Sequence, residues 1–285
     1  MVTAGAVLAG FQPRASALGQ AAALVELGPS AHIRGRLEKA TAALLTIPAE
    51  AAVAVEATDA ALGELAALAH QAADVRGQAL APDLVADLVA EAAQLRSYAL
   101  AQVQPLPSGY RGEFLARVAP GAIVGDWQHG VPASITMSQA ILESGWGKVA
   151  PGFNLFGIKG EGSAGSEVHR VVEWRKGKRS VRRAAFRSYR SMAESLEDHA
   201  RLLGTSERYA AARAAGDDTS AYARALQGKY ATDPRYASKL LDLADRYGLA
   251  RFDWRGPAPL ATPPVASIAE VQWTAFLDGS DPVDN

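Results

Sequence analysis

The chain has 285 residues and a formal net charge of −1, room for one or two domains with a sizeable core. It contains no cysteine, which excludes disulfides, cysteine-ligated zinc and thiol nucleophiles together. The near-neutral total hides a division: residues 1–105 carry a net −4, residues 106–255 a net +7 and residues 256–285 a net −4, so the middle segment suits an anionic polymer as substrate or partner.

The first ten residues are apolar but have no Lys or Arg ahead of a short hydrophobic run, which is not a signal-peptide pattern. No stretch reaches the roughly 18 apolar residues that a membrane span needs. Residues 15–104 are rich in Ala and Leu and are broken at Gly28-Pro29, Pro48 and Pro82. Leu62, Leu65 and Leu68, then Leu84, Leu88 and Leu95, recur at helical spacing, predicting three or four amphipathic helices. Residues 1–105 are therefore read as an Ala-rich helical bundle or docking region, which carries no recognisable chemistry. Pro105-Leu106-Pro107-Ser108-Gly109 ends it.

Residues 106–255 read as a second domain with short helices and one alternating segment. Good helix formers from Ala133 to Leu142 follow Pro132, and Gly145 supplies a left-handed terminus. Val168, Val171 and Val172, a turn around Lys176-Gly177-Lys178, and Val181 through Phe186 predict a hairpin. Ser191 with Glu194 forms a capping-box pattern ahead of the stripe Met192, Leu196, Ala200, Leu203. Asp233-Pro234 gives an N-cap with proline at the first helical position, and the stripe Tyr236, Leu240, Leu243, Tyr247 stops at Gly248. Residues 256–285 are expected to be a Pro-rich linker, with four prolines before Ser267, and an acidic C-terminal tail.

Within Ser138 to Gly147, Glu143 lies in the last turn of its predicted helix, at the negative end of the helix dipole, where an anion is disfavoured. That raises its pKa, the direction a general acid needs. The dipole contributes only about 0.3–1 kcal/mol, less than the roughly 1.4 kcal/mol of one pKa unit. Desolvation by Trp146 or Phe156 is therefore required as well, and Glu143 is expected to be partly buried.

Phe114-Leu115-Ala116-Arg117, the run Ser138 to Gly147, Asn154 to Lys159, Phe186-Arg187-Ser188-Tyr189 and Tyr230 to Ala237 together resemble the ordered motifs of the glucosaminidase family. This is glycoside hydrolase family seventy-three, which includes a flagellar rod-associated wall hydrolase, autolysins and phage lysins. The resemblance implies a mainly α protein, with a lysozyme-like α+β catalytic domain that carries a small β-hairpin. It implies a hydrolase of peptidoglycan that usually cuts the β-1,4 bond after N-acetylglucosamine, with muramidase or lytic transglycosylase specificity as alternatives. The family's acid maps onto Glu143, and its less well-fixed hairpin carboxylate onto Glu173, although Val171 and Val172 stand where threonines are more usual. Tyr230 is implied to help hold the acid or the N-acetyl group, and Trp146, Asn154, Phe156 and Tyr236 to line the sugar site.

Each of these residues also has a plain structural reading. Glu173 suits an ion pair with Arg175 or Lys178 on a solvated hairpin face. Tyr230 and Tyr236 could pack together in the core, and Asn154 could cap a turn. If Glu173 stands about 5–5.5 Å from Glu143 it suits a nucleophile, and at roughly 6.5–9.5 Å a base that activates water; a longer separation favours the substrate's own acetamido group. Nine Lys or Arg side chains from Arg170 to Arg190 keep the hairpin solvated or draw it to an anionic wall.

No nucleic-acid-binding motif accompanies these charges, so nucleic acid is not an expected partner. The five histidines (32, 70, 129, 169 and 199) show no paired-ligand spacing, and there is no nucleophile elbow or phosphate loop. No metal and no cofactor is expected. The alternative function is a virion or export-apparatus component whose lysozyme-like domain binds or pierces the wall, with assembly partners met by the N-terminal helices. Action at the bacterial cell wall without a signal peptide implies holin-type release, virion packaging or non-standard export.

Overall fold

The computed structural model describes residues 36–40, 42, 44, 51–74, 82–175 and 178–256, with the side chains of 69–74, 82–84, 171–175 and 178–180 outside that description. The turn residues Lys176 and Gly177 and the Pro-rich segment and tail from 257 onward also fall outside it. The described residues are mainly helical with one two-stranded antiparallel hairpin, the class the sequence leads one to expect. No described helix is long and apolar enough to cross a membrane.

Helices α1 (Ala51–Asp74) and α2 (Pro82–Val103) lie together, and α2 packs on α3 (Tyr110–His129). Leu62, Leu65, Leu68, Leu88 and Leu95 are all buried, as their spacing demands; the side chain of Leu84 is outside the description. These leucines share one cluster with Leu115, Val118 and Ile123 of α3, so apolar packing runs unbroken across the Pro105–Gly109 joint. The indole Nε1 of Trp127 reaches back to donate to the Leu62 carbonyl at 3.3 Å.

The 20-residue helix α3 contains Pro120, Gly121 and Gly125, which local propensity disfavours. Tertiary packing overrides that preference. A Cβ at Gly121 would come within 2.7 Å of Leu196 Cδ1, and one at Gly125 within 2.7 Å of Ala200 Cβ. Both contacts lie on α5 (Met192–Thr205), so the two glycines let α3 and α5 approach closely.

Helix α4 (Ala133–Ser144) follows, with no cap from its own preceding residue Pro132. Its free N–H groups are met from elsewhere. Asp126 Oδ2 accepts from Ala133 N at 2.9 Å, and Asp253 accepts from Ser134 N at 2.7 Å and from Ser134 Oγ at 3.0 Å. The helix ends at Gly145, which is left-handed at φ 57° and donates its N–H to the Ile141 carbonyl, as expected of a glycine terminus.

Strands β1 (Ser166–Arg175) and β2 (Lys178–Arg187) pair from Ser166 opposite Arg187 to Arg175 opposite Lys178. Ser191 caps α5 by accepting from Glu194 N at 3.3 Å. The short α6 (Ala210–Arg213) and α7 (Thr219–Leu226) lead to α8 (Tyr236–Arg246). Helix α8 starts later than Asp233-Pro234 suggests, because Asp233 Oδ1 accepts from Arg235 N at 2.9 Å, a local turn that postpones helical bonding. Ile135, Leu203, Tyr222, Tyr236 and Leu240 form a second cluster, which joins α4, α5, α7 and α8.

Candidate active site

Glu143 occupies the last turn of α4, where the sequence pattern sets it. The Tyr236 hydroxyl, from the first residue of α8, donates to Glu143 Oε1 at 2.9 Å. Burial of the carboxyl raises its pKa, and the Tyr236 hydrogen bond, which favours the ionised form, offsets part of that rise. The residue as a whole is more open than expected, since Glu143 is exposed rather than partly buried. A residue open to solvent whose carboxyl is held at a raised pKa is accessible to a polymer and keeps its proton to higher pH than an ordinary carboxylate.

Trp146 packs among other aromatic rings. The run Gly145, Trp146 and Gly147 is left-handed throughout, with φ 57°, 68° and 76°, an unfavourable state for a bulky side chain. It places the Trp146 indole edge-on to Tyr247 at 4.9 Å, Phe114 at 6.0 Å and Tyr110 at 6.5 Å. In that position the ring staples the turn after α4 to α3 and to the end of α8.

Asn154 is buried: its Nδ2 donates to the carbonyls of Ile158 and Arg187, both at 2.9 Å, and its Oδ1 accepts from Ile158 N at 3.0 Å. Both of its amide protons are used within the fold, and it ties the 154–158 loop to the end of β2. Phe156 is buried too, stacked on the His199 ring at 3.8 Å. The Tyr230 hydroxyl donates to the Phe156 carbonyl at 3.1 Å rather than to the acid, and its ring stacks on Tyr236 at 5.9 Å. Tyr236, read from sequence as a sugar contact, thus holds the acid, while Tyr230 supports the loop beside it.

Two residues absent from the sequence reading complete the site. Gln139, one turn before Glu143 on α4, donates through Nε2 to the Tyr236 oxygen at 2.9 Å. His199 Nε2 lies 3.1 Å from Gln139 Oε1. Both side chains have 0% exposure, and burial pushes the His199 pKa down to about 3, so the ring is neutral. The i, i+4 relation of Gln139 to Glu143 was visible as a shared helix face; His199, 60 positions from Gln139, left no sequence signal.

Glu173 stands on β1 opposite Ser180, and its side chain lies outside the described residues. A cavity of about 510 Å³ lies elsewhere, between the hairpin base and α5, lined among others by Arg187, Tyr189, Glu194, Asp198 and Arg201. Its walls are tied together by structural bonding: Asp198 accepts from the Tyr189 hydroxyl at 2.7 Å and pairs with Arg187 and Arg201. Neither Glu143 nor Tyr236 lines it.

An accessible carboxylic acid with a raised pKa, held by a buried tyrosine at the end of a core helix, has the chemistry that general-acid work needs. Comparison with known proteins gives the class. Residues 119–249 match the glucosaminidase family, described as mannosyl-glycoprotein endo-beta-N-acetylglucosaminidase, and the chain belongs to that family through this domain. Among relatives, the exo-glucosaminidase LytG of Bacillus subtilis is 39% identical over 145 residues, 48% of this chain and 51% of that protein. A probable N-acetylmuramidase of Lactococcus lactis is 38% identical over 150 residues, 49% of this chain and 34% of that protein. The chain therefore spans about half or less of the length of these curated relatives. Among solved structures, the catalytic domain of the autolysin Auto from Listeria monocytogenes is 32% identical with a TM-score of 0.47, covering 54% of this chain and 93% of that one.

Proposed function

We propose that the protein hydrolyses the glycan strand of peptidoglycan as an endo-β-N-acetylglucosaminidase acting at the bacterial cell wall. The carrying observation is the Glu143–Tyr236 pair at 2.9 Å, inside the matched domain. Glu143 donates its proton to the glycosidic oxygen as the C1–O bond breaks, the bonding electron pair leaves with that oxygen, and water supplies the replacing hydroxyl. Tyr236 stabilises the carboxylate left behind. Glu173 on the hairpin is the second carboxylate, as nucleophile or as base for the water. The net +7 of residues 106–255 favours approach to an anionic wall polymer, and the N-terminal helices position the domain.

The name of the Lactococcus lactis relative supports a second specificity, muramidase cleavage at the other glycosidic bond. Turbidity loss of purified walls tests the acid: Glu143→Gln should slow hydrolysis by about 10²–10⁴-fold, and equal lysis by both proteins would remove Glu143 from that role. Mass spectrometry of reduced fragments decides the bond. New reducing N-acetylglucosamine supports the glucosaminidase reading, whereas new reducing N-acetylmuramic acid replaces it with the muramidase one.

A further inference from the structure

The hydrogen bonds behind Glu143 form a chain of four side chains, His199, Gln139, Tyr236 and Glu143, with separations of 3.1, 2.9 and 2.9 Å. A hydroxyl has one proton and an amide has distinct donor and acceptor ends, so such a chain runs in one direction or the other. In the first, His199 Nε2–H donates to Gln139 Oε1, Gln139 Nε2–H donates to Tyr236, and the Tyr236 proton goes to Glu143. In the reverse, the Gln139 amide is turned, Tyr236 donates to it, and Glu143 must supply a proton to Tyr236.

His199 decides between them. Its Nδ1 is buried and has no hydrogen-bond partner. A neutral imidazole carries its proton on one nitrogen only, and the reverse direction would put that proton on Nδ1, a buried N–H with no acceptor among the described residues. A buried donor without a partner costs about 1–3 kcal/mol. The Nε2–H form instead leaves only a lone pair unmet.

We propose that Gln139 and His199 are positioning residues which commit the Tyr236 hydroxyl proton to Glu143 Oε1, leaving Oε2 as the oxygen that carries the catalytic proton. This rests on the hydrolase reading above. Among the described residues Oε2 has no partner, so it is open to the leaving oxygen. As the proton departs from Oε2, negative charge grows on the carboxylate and the Tyr236 bond to Oε1 strengthens. The relay therefore acts more on the transition state than on the resting acid. Tyr236 and Tyr230 are the described ionisable side chains coupled to Glu143; neither carries charge near neutrality, since burial raises both pKa values.

The test is a carbon-13 NMR titration of the Glu143 carboxyl, paired with the pH–rate profile on purified walls. Gln139→Met keeps the volume and removes the amide. It should raise the Glu143 midpoint by roughly 0.1–0.7 unit, because the donor at Oε1 weakens, and move the alkaline limb of the rate profile up with it. His199→Phe, which retains an aromatic face for Phe156, should shift both in the same direction and serves if the first variant does not fold. In a Tyr236→Phe background neither change should add a further shift. An unmoved midpoint, or an equal shift with and without the Tyr236 hydroxyl, overturns the relay. A wild type that titrates as described but cleaves no wall overturns the hydrolase reading instead, so the two failures are distinct.

Discussion

At Glu143 two effects compete: burial raises the pKa and the Tyr236 hydroxyl lowers it, with burial the larger. A general acid works while protonated, so in the role proposed for Glu143 its pKa sets the alkaline limb of activity. Tyr236→Phe removes the lowering cause alone, and the limb should move to higher pH. Since a hydrogen bond to a charged group is worth about 1.5–3 kcal/mol, kcat/KM should fall roughly 10- to 100-fold. A pH–rate profile of the variant reads both outcomes, and a limb moving to lower pH would contradict them. The place of Glu143 at a helix end was legible because its signal is local, a helix, a glycine stop and a family motif within ten positions. Trp146, Asn154 and Phe156 lie in equally recognisable motifs, yet their side chains are engaged in packing and hydrogen bonds. A motif marks that a residue type is required at a position, and the structure adds what that residue touches.

Helix α4, which carries Glu143, is held at its start by carboxylates from two other elements, Asp126 of α3 and Asp253, which follows a 3₁₀ turn at Leu249–Phe252. Such long-range caps leave no local pattern, whereas the Ser191 cap of α5 was readable because donor and acceptor are three residues apart. Burial raises the Asp126 pKa to about 7, against an unfolded value near 3.9. The folded state thus holds a proton that the unfolded chain has lost, and this contribution to stability is full below pH ~4 and declines as pH rises to about 7. Asp126→Asn, measured by urea unfolding across that range, should flatten the decline; an unchanged slope would mean that Asp126 is ionised throughout. The α3–α5 contact makes a separate prediction. Gly125→Val forces carbon into the 2.7 Å approach to Ala200 Cβ and should cost about 1–3 kcal/mol, and Ala200→Gly in the same chain should restore part of the loss. Helix α3 was hard to read for the same reason, since the glycines and proline that disfavour it locally are what permit its packing.

Across the whole molecule the N-terminal helices connect to the site through Arg96. This α2 side chain is buried, pairs with Asp59 of α1 at 2.5 Å, and donates to the carbonyls of Phe252 at 3.0 Å and Asp253 at 3.3 Å. Asp253 in turn caps α4, so one path of bonds runs from the first helices to the helix that bears Glu143. The leucine periodicity of 62–95 revealed that these helices bury a face, but periodicity cannot say against what; the answer is the cluster containing Leu115, Val118 and Phe252. A loosely tethered bundle would leave α4 indifferent to a change at Arg96, whereas a shared core would not. Arg96→Ala leaves two carbonyls short of a charged donor, a loss of roughly 3 kcal/mol, and the effect should be greatest where those carbonyls lie. Amide hydrogen exchange is the discriminating measurement: protection of Ser134 and Ile135 in the first turn of α4 should fall more than that of Ile141 near its end. A uniform fall along α4 would mean that Arg96 contributes only to global stability, and no change would separate the N-terminal helices from the site altogether.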